Sequence, residues 1–186
     1  MKIVIVGAGE VGRYVAKMLS NENHDITIMD ESEDRLQDLD TNYDIMSRVG
    51  SPTSITDLQM CGVRNCDLFI AVYPSESVNT TACIIASKLG ARKTVARIDN
   101  YEYLLPKNKE MLKNLGIDKL IYPEVLAATE IVQSLKRSWI REYRTFSNEA
   151  LVLVCVKVRE NAEIINKVFS TGVFNHSMYR IVAVKR

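Results

Sequence analysis

The sequence predicts an α/β fold built on a doubly wound parallel sheet. Three observations carry this reading. The hexamer Gly7-Ala8-Gly9-Glu10-Val11-Gly12 follows directly on the apolar run Ile3-Val4-Ile5-Val6. Short apolar strands then alternate with helical patterns as far as Tyr122. Leu68-Phe69-Ile70-Ala71-Val72 is a continuous apolar run of the kind buried on both faces of a parallel sheet. Right-handed crossovers in such an alternation give a Rossmann-like sheet with the glycine turn at its topological switch point.

The first strand ends at Val6, and the helical pattern Val11, Val15, Met18 and Leu19 follows. Gly7 permits the tight turn, Gly9 lets the backbone approach a pyrophosphate, and Gly12 lets the helix pack closely on the strand. The free N–H groups and positive dipole end of that helix then face the phosphates. A second strand, Ile26-Thr27-Ile28-Met29, closes on Asp30 about twenty residues on, where a carboxylate accepts ribose hydroxyls and repels a 2′-phosphate. Ser32 can cap a helix with Glu33 and Asp34 in its first turn and Leu36 and Leu39 on its apolar side. A third strand over residues 44–49 stops at Gly50-Ser51-Pro52. A short helix from Ser54 to Met60 carries Ile55 and Leu58 inward and ends near Gly62. The fourth strand is followed by a helix from Ser77 to Leu89, with Gly90 as its stop. Thr94 to Ile98 forms the fifth strand, Met111 to Gly116 a helix end, and Lys119 to Tyr122 the sixth strand.

Pro123 opens a long helical pattern, with Glu124 beside it. Val125, Ala128, Val132, Leu135 and Trp139 fall on one stripe, with Ile131 and Ile140 alongside. That stripe either covers its own sheet or crosses to a partner subunit. From about Phe146 the texture changes: Leu151 to Val158 reads as a strand, Ile164 to Phe174 as a short helix and turn, and Arg180 to Arg186 as a last strand. So few elements bury no core of their own, so they read as the start of a second module. The expected organisation is a nucleotide-binding domain over 1–122, a crossover or dimerisation helix over 123–145, and a partial small α+β C-terminal module over 146–186.

Composition excludes several function classes. The chain has 186 residues, 47% hydrophobic and 25% charged, with formal net charge +1, so no electrostatic footprint for nucleic acid is expected. No apolar run approaches the roughly twenty residues needed to span a bilayer, and Met1 begins directly on a core strand, so a cytoplasmic location is expected. Cys61, Cys66, Cys83 and Cys155 have no CxxC spacing and histidine is limited to His24 and His176, so no metal site is expected. The cysteines read as small buried hydrophobes kept reduced.

A dehydrogenase built on this fold needs an acid–base pair near its nicotinamide. Tyr103-Leu104-Leu105-Pro106-Lys107 has a Tyr-x-x-x-Lys spacing, yet Pro106 disfavours the helix that would align the two side chains. No other pair offers believable geometry, so binding without catalysis fits better. Ligands of a doubly wound sheet touch the carboxyl ends of its strands. Here those are Gly7 to Gly12, Asp30 and Glu31, Gly50 and Ser51 to Thr53, Tyr73, Pro74 and Ser75, and Arg97. Arg97 either forks onto a phosphate or forms a surface salt bridge. Ser75 and Ser77 either cap the next helix or touch ligand, and Tyr73-Pro74 can wall the adenine or ribose.

Taken in order, several segments resemble one family. The opening Met1-Lys2-Ile3-Val4-Ile5-Val6-Gly7-Ala8-Gly9-Glu10-Val11-Gly12, residues 25–30, residues 71–79, Val95-Ala96-Arg97-Ile98 and Tyr122-Pro123-Glu124 are similar to TrkA-type potassium-uptake regulatory proteins, which carry the RCK or KTN nucleotide-binding domain. The resemblance covers about residues 1–145, and the tail is similar to the first half of that family's small C-terminal ligand-binding subdomain. It implies a non-enzymatic, NAD- or NADH-binding regulatory subunit, with ADP and ATP as alternative ligands. Its implied partner is a membrane potassium-translocating subunit of Trk or Ktr type, on the inner face of the plasma membrane. A homodimer or larger ring would form through the helix from Pro123. By position, the implied nucleotide contacts are Gly7 to Val11, Asp30, Tyr73, Pro74 and Arg97, with Glu124 near the phosphates, where a divalent cation can participate. Glu10 stands where some relatives place an arginine that reaches a terminal phosphate, which favours a dinucleotide over a triphosphate. Ser51 replaces an aspartate that many members carry. The alternatives are an NAD-dependent oxidoreductase cofactor domain separated from its substrate domain, and a nucleotide-binding domain that only supports assembly.

Overall fold

The computed structural model describes residues 1–37, 39, 43–136, 140–146, 150–162, 164–167 and 179–184. It divides into two compact units, Met1–Thr129 and Glu130–Arg186. In the first unit, strand β1 (Lys2–Val6) is the centre from which the sheet is wound. Alternate side chains of a strand point to opposite faces. Ile3 and Ile5 accordingly enter one core, with Ile26, Ile28, Ile45 and Ile70, while Val4 and Val6 enter another, with Phe69, Ala82, Ala86 and Ile98.

Around β1 are helix α1 (Glu10–Ser20), β2 (Asp25–Asp30), β3 (Ile45–Val49), α2 (Ile55–Met60), β4 (Leu68–Ala71), α3 (Glu76–Leu89), β5 (Thr94–Arg97), α4 (Pro106–Asn114) and β6 (Lys119–Ile121). All pairings are parallel, in the order β3-β2-β1-β4-β5-β6. This is the strand order of a dinucleotide-binding sheet, with its switch point between β1 and β4. Parallel strands put every carboxyl end on one edge, so the loops after β1, β2, β3, β4, β5 and β6 share that edge. The Rossmann-like architecture expected from the sequence is therefore the observed one.

Local differences have physical causes. The inner face of α1 is Gly12 and Ala16, with Val15 and Leu19 half-buried or nearly so, whereas Val11 and Met18 are exposed. The absent side chain of Gly12 brings the helix down along that narrow stripe, which turns Val11 and Met18 outward. Ser32 does not cap an α-helix: Glu33–Arg35 is a single 3-10 turn, and the Ser32 side chain makes no capping bond. Leu36 and Leu39 are nevertheless buried. In α2, Leu58 is buried but Ile55 is exposed, because the first residue of a helix this short lies beyond the packed face. The Ser54 side chain caps α2 by accepting the Asp57 N–H, and Gly90 ends α3 in the left-handed conformation. Pro106 is the first residue of α4, where its fixed φ suits a helix start. Cys61, Cys66 and Cys83 are buried, as expected, but Cys155 is exposed.

Helix α5 (Pro123–Lys136) carries Val125, Leu126, Ile131, Val132 and Leu135 exposed. It ends before Ile140, which begins strand β7 (Ile140–Phe146) instead of continuing the helical stripe. Trp139 lies outside the described residues. In the second unit, β7 pairs antiparallel with β8 (Leu151–Val156), which is exposed along its whole length. Residues 164–167 form turns, and 168–174 lie outside the described residues. Residues 180–184 adopt neither strand nor helix, in contrast to the last strand that the sequence suggests.

Candidate functional site at the carboxyl edge of the sheet

The glycine turn is fixed by its own backbone. Gly7 has φ +102°, and its N–H donates to the Met29 carbonyl at 2.8 Å. A Cβ at Gly7 would collide with the backbone of Val72 and Tyr73, and one at Gly12 would collide with the Gly7 carbonyl. Both positions therefore demand glycine for the fold itself. Gly9 differs. It caps α1 with φ −70°, which any residue adopts, and a Cβ there would meet nothing within 4 Å. Among the described residues no neighbour requires this glycine, and the space beside it lies at the N-terminus of an eleven-residue helix. That is the cradle a close-approaching phosphate needs. Ala8 is buried in the turn, while Glu10 and Val11 are exposed at the helix start.

Asp30 ends β2 and is 1% exposed. Its Oδ2 accepts the Ala8 N–H at 2.8 Å, its Oδ1 accepts the Ser32 N–H at 2.9 Å, and Arg35 Nη1 lies 3.6 Å from Oδ2. The carboxylate thus ties the glycine turn to the end of β2. Its neighbour Glu31 is exposed and accepts the Tyr73 hydroxyl at 3.0 Å, a link from the β2 loop to the β4 loop. Burial, reinforced by the hydrogen bond to Glu31 and the nearby Asp30 charge, pushes the Tyr73 phenol up to about 12.

Asn79 holds the β4 loop. It is 1% exposed, its Oδ1 accepts the Tyr73 N–H at 2.7 Å, and its Nδ2 donates to the Tyr73 and Arg97 carbonyls at 2.9 and 3.0 Å. One amide therefore fastens the carboxyl ends of β4 and β5 together. The Glu76 Oε2 accepts the N–H groups of Asp99 and Asn100 at 2.6 and 2.7 Å, fixing the loop after β5. Sequence reasoning gave neither residue a role. The available signal was a polar side chain on the otherwise apolar stripe Asn79, Ala82, Cys83 and Ala86.

Arg97 Nη2 pairs with Asp99 at 3.2 Å, as the salt-bridge reading expects, yet its Nε is buried with no hydrogen-bond partner among the described residues. Ser75 occupies the N-cap of α3 without a side-chain capping bond, and its hydroxyl lies 2.9 Å from that of Ser77. Pro74 is exposed between Tyr73 and Ser75. The Gly50 N–H donates to the Asp30 carbonyl at 3.0 Å, and the Ser51 N–H to Asp57 at 2.9 Å. Glu124 is exposed at the start of α5, after β6, three strands from the glycine turn. Tyr103 and Lys107 fall in separate elements, a 3-10 turn over Tyr101–Leu104 and α4, so they share no helix face. Among the described residues, no cluster of His, Cys, Asp and Glu is placed to hold a metal ion, and no helix is long and apolar enough to cross a membrane.

Comparison with known proteins places this edge in context. The TrkA-N domain model matches residues 3–123. The chain is 38% identical over 159 residues to the Trk system potassium uptake protein TrkA of Haemophilus influenzae, covering 84% of this chain and 35% of that protein. It is 34% identical to the TrkA of Vibrio alginolyticus over 174 residues, covering 91% of this chain and 38% of that protein. The chain thus spans little more than a third of the length of these relatives. Among solved structures, the TrkA-N domain of inner membrane protein ybaL from Escherichia coli superposes with TM-score 0.63 at 16% identity, over 72% of this chain and 96% of that one. The GsuK channel bound to NAD superposes with TM-score 0.54 at 22% identity, over 64% of this chain and 21% of that one. These structural likenesses show the fold. With the family model matched from the first core strand to the end of the sixth, the chain belongs to the TrkA-N domain family.

Proposed function

We propose that this chain is a non-enzymatic regulatory domain that binds NAD or NADH and transmits occupancy to a potassium-translocating membrane protein of Trk or Ktr type. The observation that carries the reading is Gly9, a glycine that the fold does not need, set against open space at the start of α1. In this reading the N–H groups of Gly7 to Gly12 and the dipole of α1 hold the pyrophosphate. Asp30 and Glu31 face a ribose, Tyr73, Pro74 and Ser75 wall the adenosine side, and Gly50 and Ser51 border it beyond β2. Arg97 supplies a cation whose Nε has no protein partner among the described residues. Glu124 lies further along the same edge.

A ligand shifts a conformational equilibrium only by binding two arrangements with different affinity. The loops after β2, β4 and β5 are tied by Glu31–Tyr73 and by Asn79, so a nucleotide that reorganises one moves the others. The exposed apolar stripe of α5 is the surface through which a homodimer or larger ring would assemble and carry that movement. Peripheral attachment at the inner membrane face would follow from the transporter partner. Thermal unfolding with NADH, NAD, ADP and ATP tests the reading. An upward shift with NADH or NAD that exceeds the shift with ATP is expected, and no shift with any nucleotide overturns it.

A further inference from the structure

The register of the sheet sets Glu31 and Tyr73 on opposite sides of the glycine turn. Val6 of β1 pairs with Met29 on one side and with Ala71 on the other. Two residues further along all three strands, Ala8 therefore stands between Glu31 and Tyr73. Two strand spacings separate their backbones by about 10 Å. A glutamate and a tyrosine extended towards each other close that gap, and the Tyr73 hydroxyl donates to Glu31 Oε2 at 3.0 Å. The bond thus runs across the end of β1, over the crevice where the strand order reverses and where a dinucleotide enters such a sheet. Both ends of this bridge are fixed at the backbone. Beside Glu31, the Asp30 carboxylate accepts the N–H groups of Ala8 and Ser32. Asn79 holds the N–H and the carbonyl of Tyr73, and a Cβ on Gly7 would meet the Tyr73 nitrogen at 2.9 Å, so the Tyr73 backbone lies against the turn. The bridge therefore opens by rotating two side chains, with the backbone ties on either side intact.

We propose that the Glu31–Tyr73 hydrogen bond is an autoinhibitory strap across the mouth of the nucleotide site, which a dinucleotide has to part before its adenosine half can seat. The inference rests on the proposed nucleotide site and adds a gate to it. The two side chains that would face the ribose and the base are bonded to each other, so a ligand gains their contacts only by breaking that bond. Glu31 then accepts a ribose hydroxyl in place of the phenol, and the Tyr73 ring is left to lie against the base. Binding exchanges one tie between the loops after β2 and β4 for another that runs through the ligand. A site open for only a fraction of the time binds more weakly in proportion to that fraction.

Stopped-flow binding of NADH to the full chain, with the nucleotide in excess, tests the strap. Tyr73→Phe keeps the ring and removes the bond. It is expected to raise the association rate and the affinity about fivefold, the worth of one hydrogen bond between accessible groups. In a Glu31→Ala background the same Tyr73→Phe change is expected to add nothing, because its partner is already gone. With nucleotide in excess, the observed rate constant does not depend on how much of a variant is folded. An association rate that Tyr73→Phe leaves unchanged or lowers overturns the strap and leaves the nucleotide site standing. A gain that persists in the absence of the Glu31 carboxylate also overturns it, since the bond would not be its source. Failure of the parent chain to bind NADH overturns both readings.

Discussion

At the residue scale, three glycines of one turn carry three different burdens. A Cβ on Gly12 meets the Gly7 carbonyl, whereas one on Gly9 meets nothing. Gly12→Ala is therefore expected to destabilise the domain by about 3 kcal/mol or more, read from urea unfolding, because backbone must move to admit the methyl group. Asn79 offers a second test. Asn79→Leu leaves two carbonyls and one N–H without their buried partner, and a loss of about 2–4 kcal/mol is expected from the same measurement. A variant as stable as the parent would show that the amide does not fasten β4 to β5. Tyr73 gives a pH signature. Its phenol is raised from the ordinary 10.0 to about 12, so the folded state holds the proton more tightly than the unfolded one. The stability it contributes is present below pH 10 and lost as pH rises from 10 towards 12. Spectroscopic titration of the phenols is expected to show one late ionisation, moved downward by Glu31→Gln.

At the scale of elements, legibility in the sequence followed the strength of the local signal. β1, the glycine turn and β2 announced themselves through apolar runs and glycines whose need is local. α3 and its Gly90 stop were equally plain, since a left-handed C-cap has one favoured residue. β7 was missed because Ile140 continues the apolar phase of α5 and the strand itself, Ile-Arg-Glu-Tyr-Arg-Thr-Phe, is half charged. The carboxyl-edge loops were readable as a set, but the bonds within them were not: Asn79 reaches Arg97 across 18 residues and Glu31 meets Tyr73 across 42. The burial of Asp30 under Arg35 was hidden too, because a 3-10 turn has no periodicity to betray it. For α5, substituting Ile131 and Leu135 with lysine tests the proposed assembly face. A fall in solution mass by sedimentation is expected, and an unchanged mass would assign the stripe another role.

At the scale of the whole molecule, six parallel strands deliver six loops to one edge, and the switch point between β1 and β4 makes that edge a cleft. The fold by itself selects no chemistry. The proposed nucleotide sensing rests on the conjunction of the opening at Gly9 and a tied network of loops. The most direct measurement is equilibrium binding of NADH to the parent chain and to Gly9→Val, with thermal unfolding of each alone. NADH is expected to bind the parent and raise its Tm by ~5–10 °C at a hundredfold excess over Kd. Gly9→Val is expected to keep the parent Tm without ligand and to lose at least about tenfold in affinity. A Gly9→Val chain that binds NADH as the parent does would show that the nucleotide does not sit in the opening beside Gly9 and would overturn the proposed site.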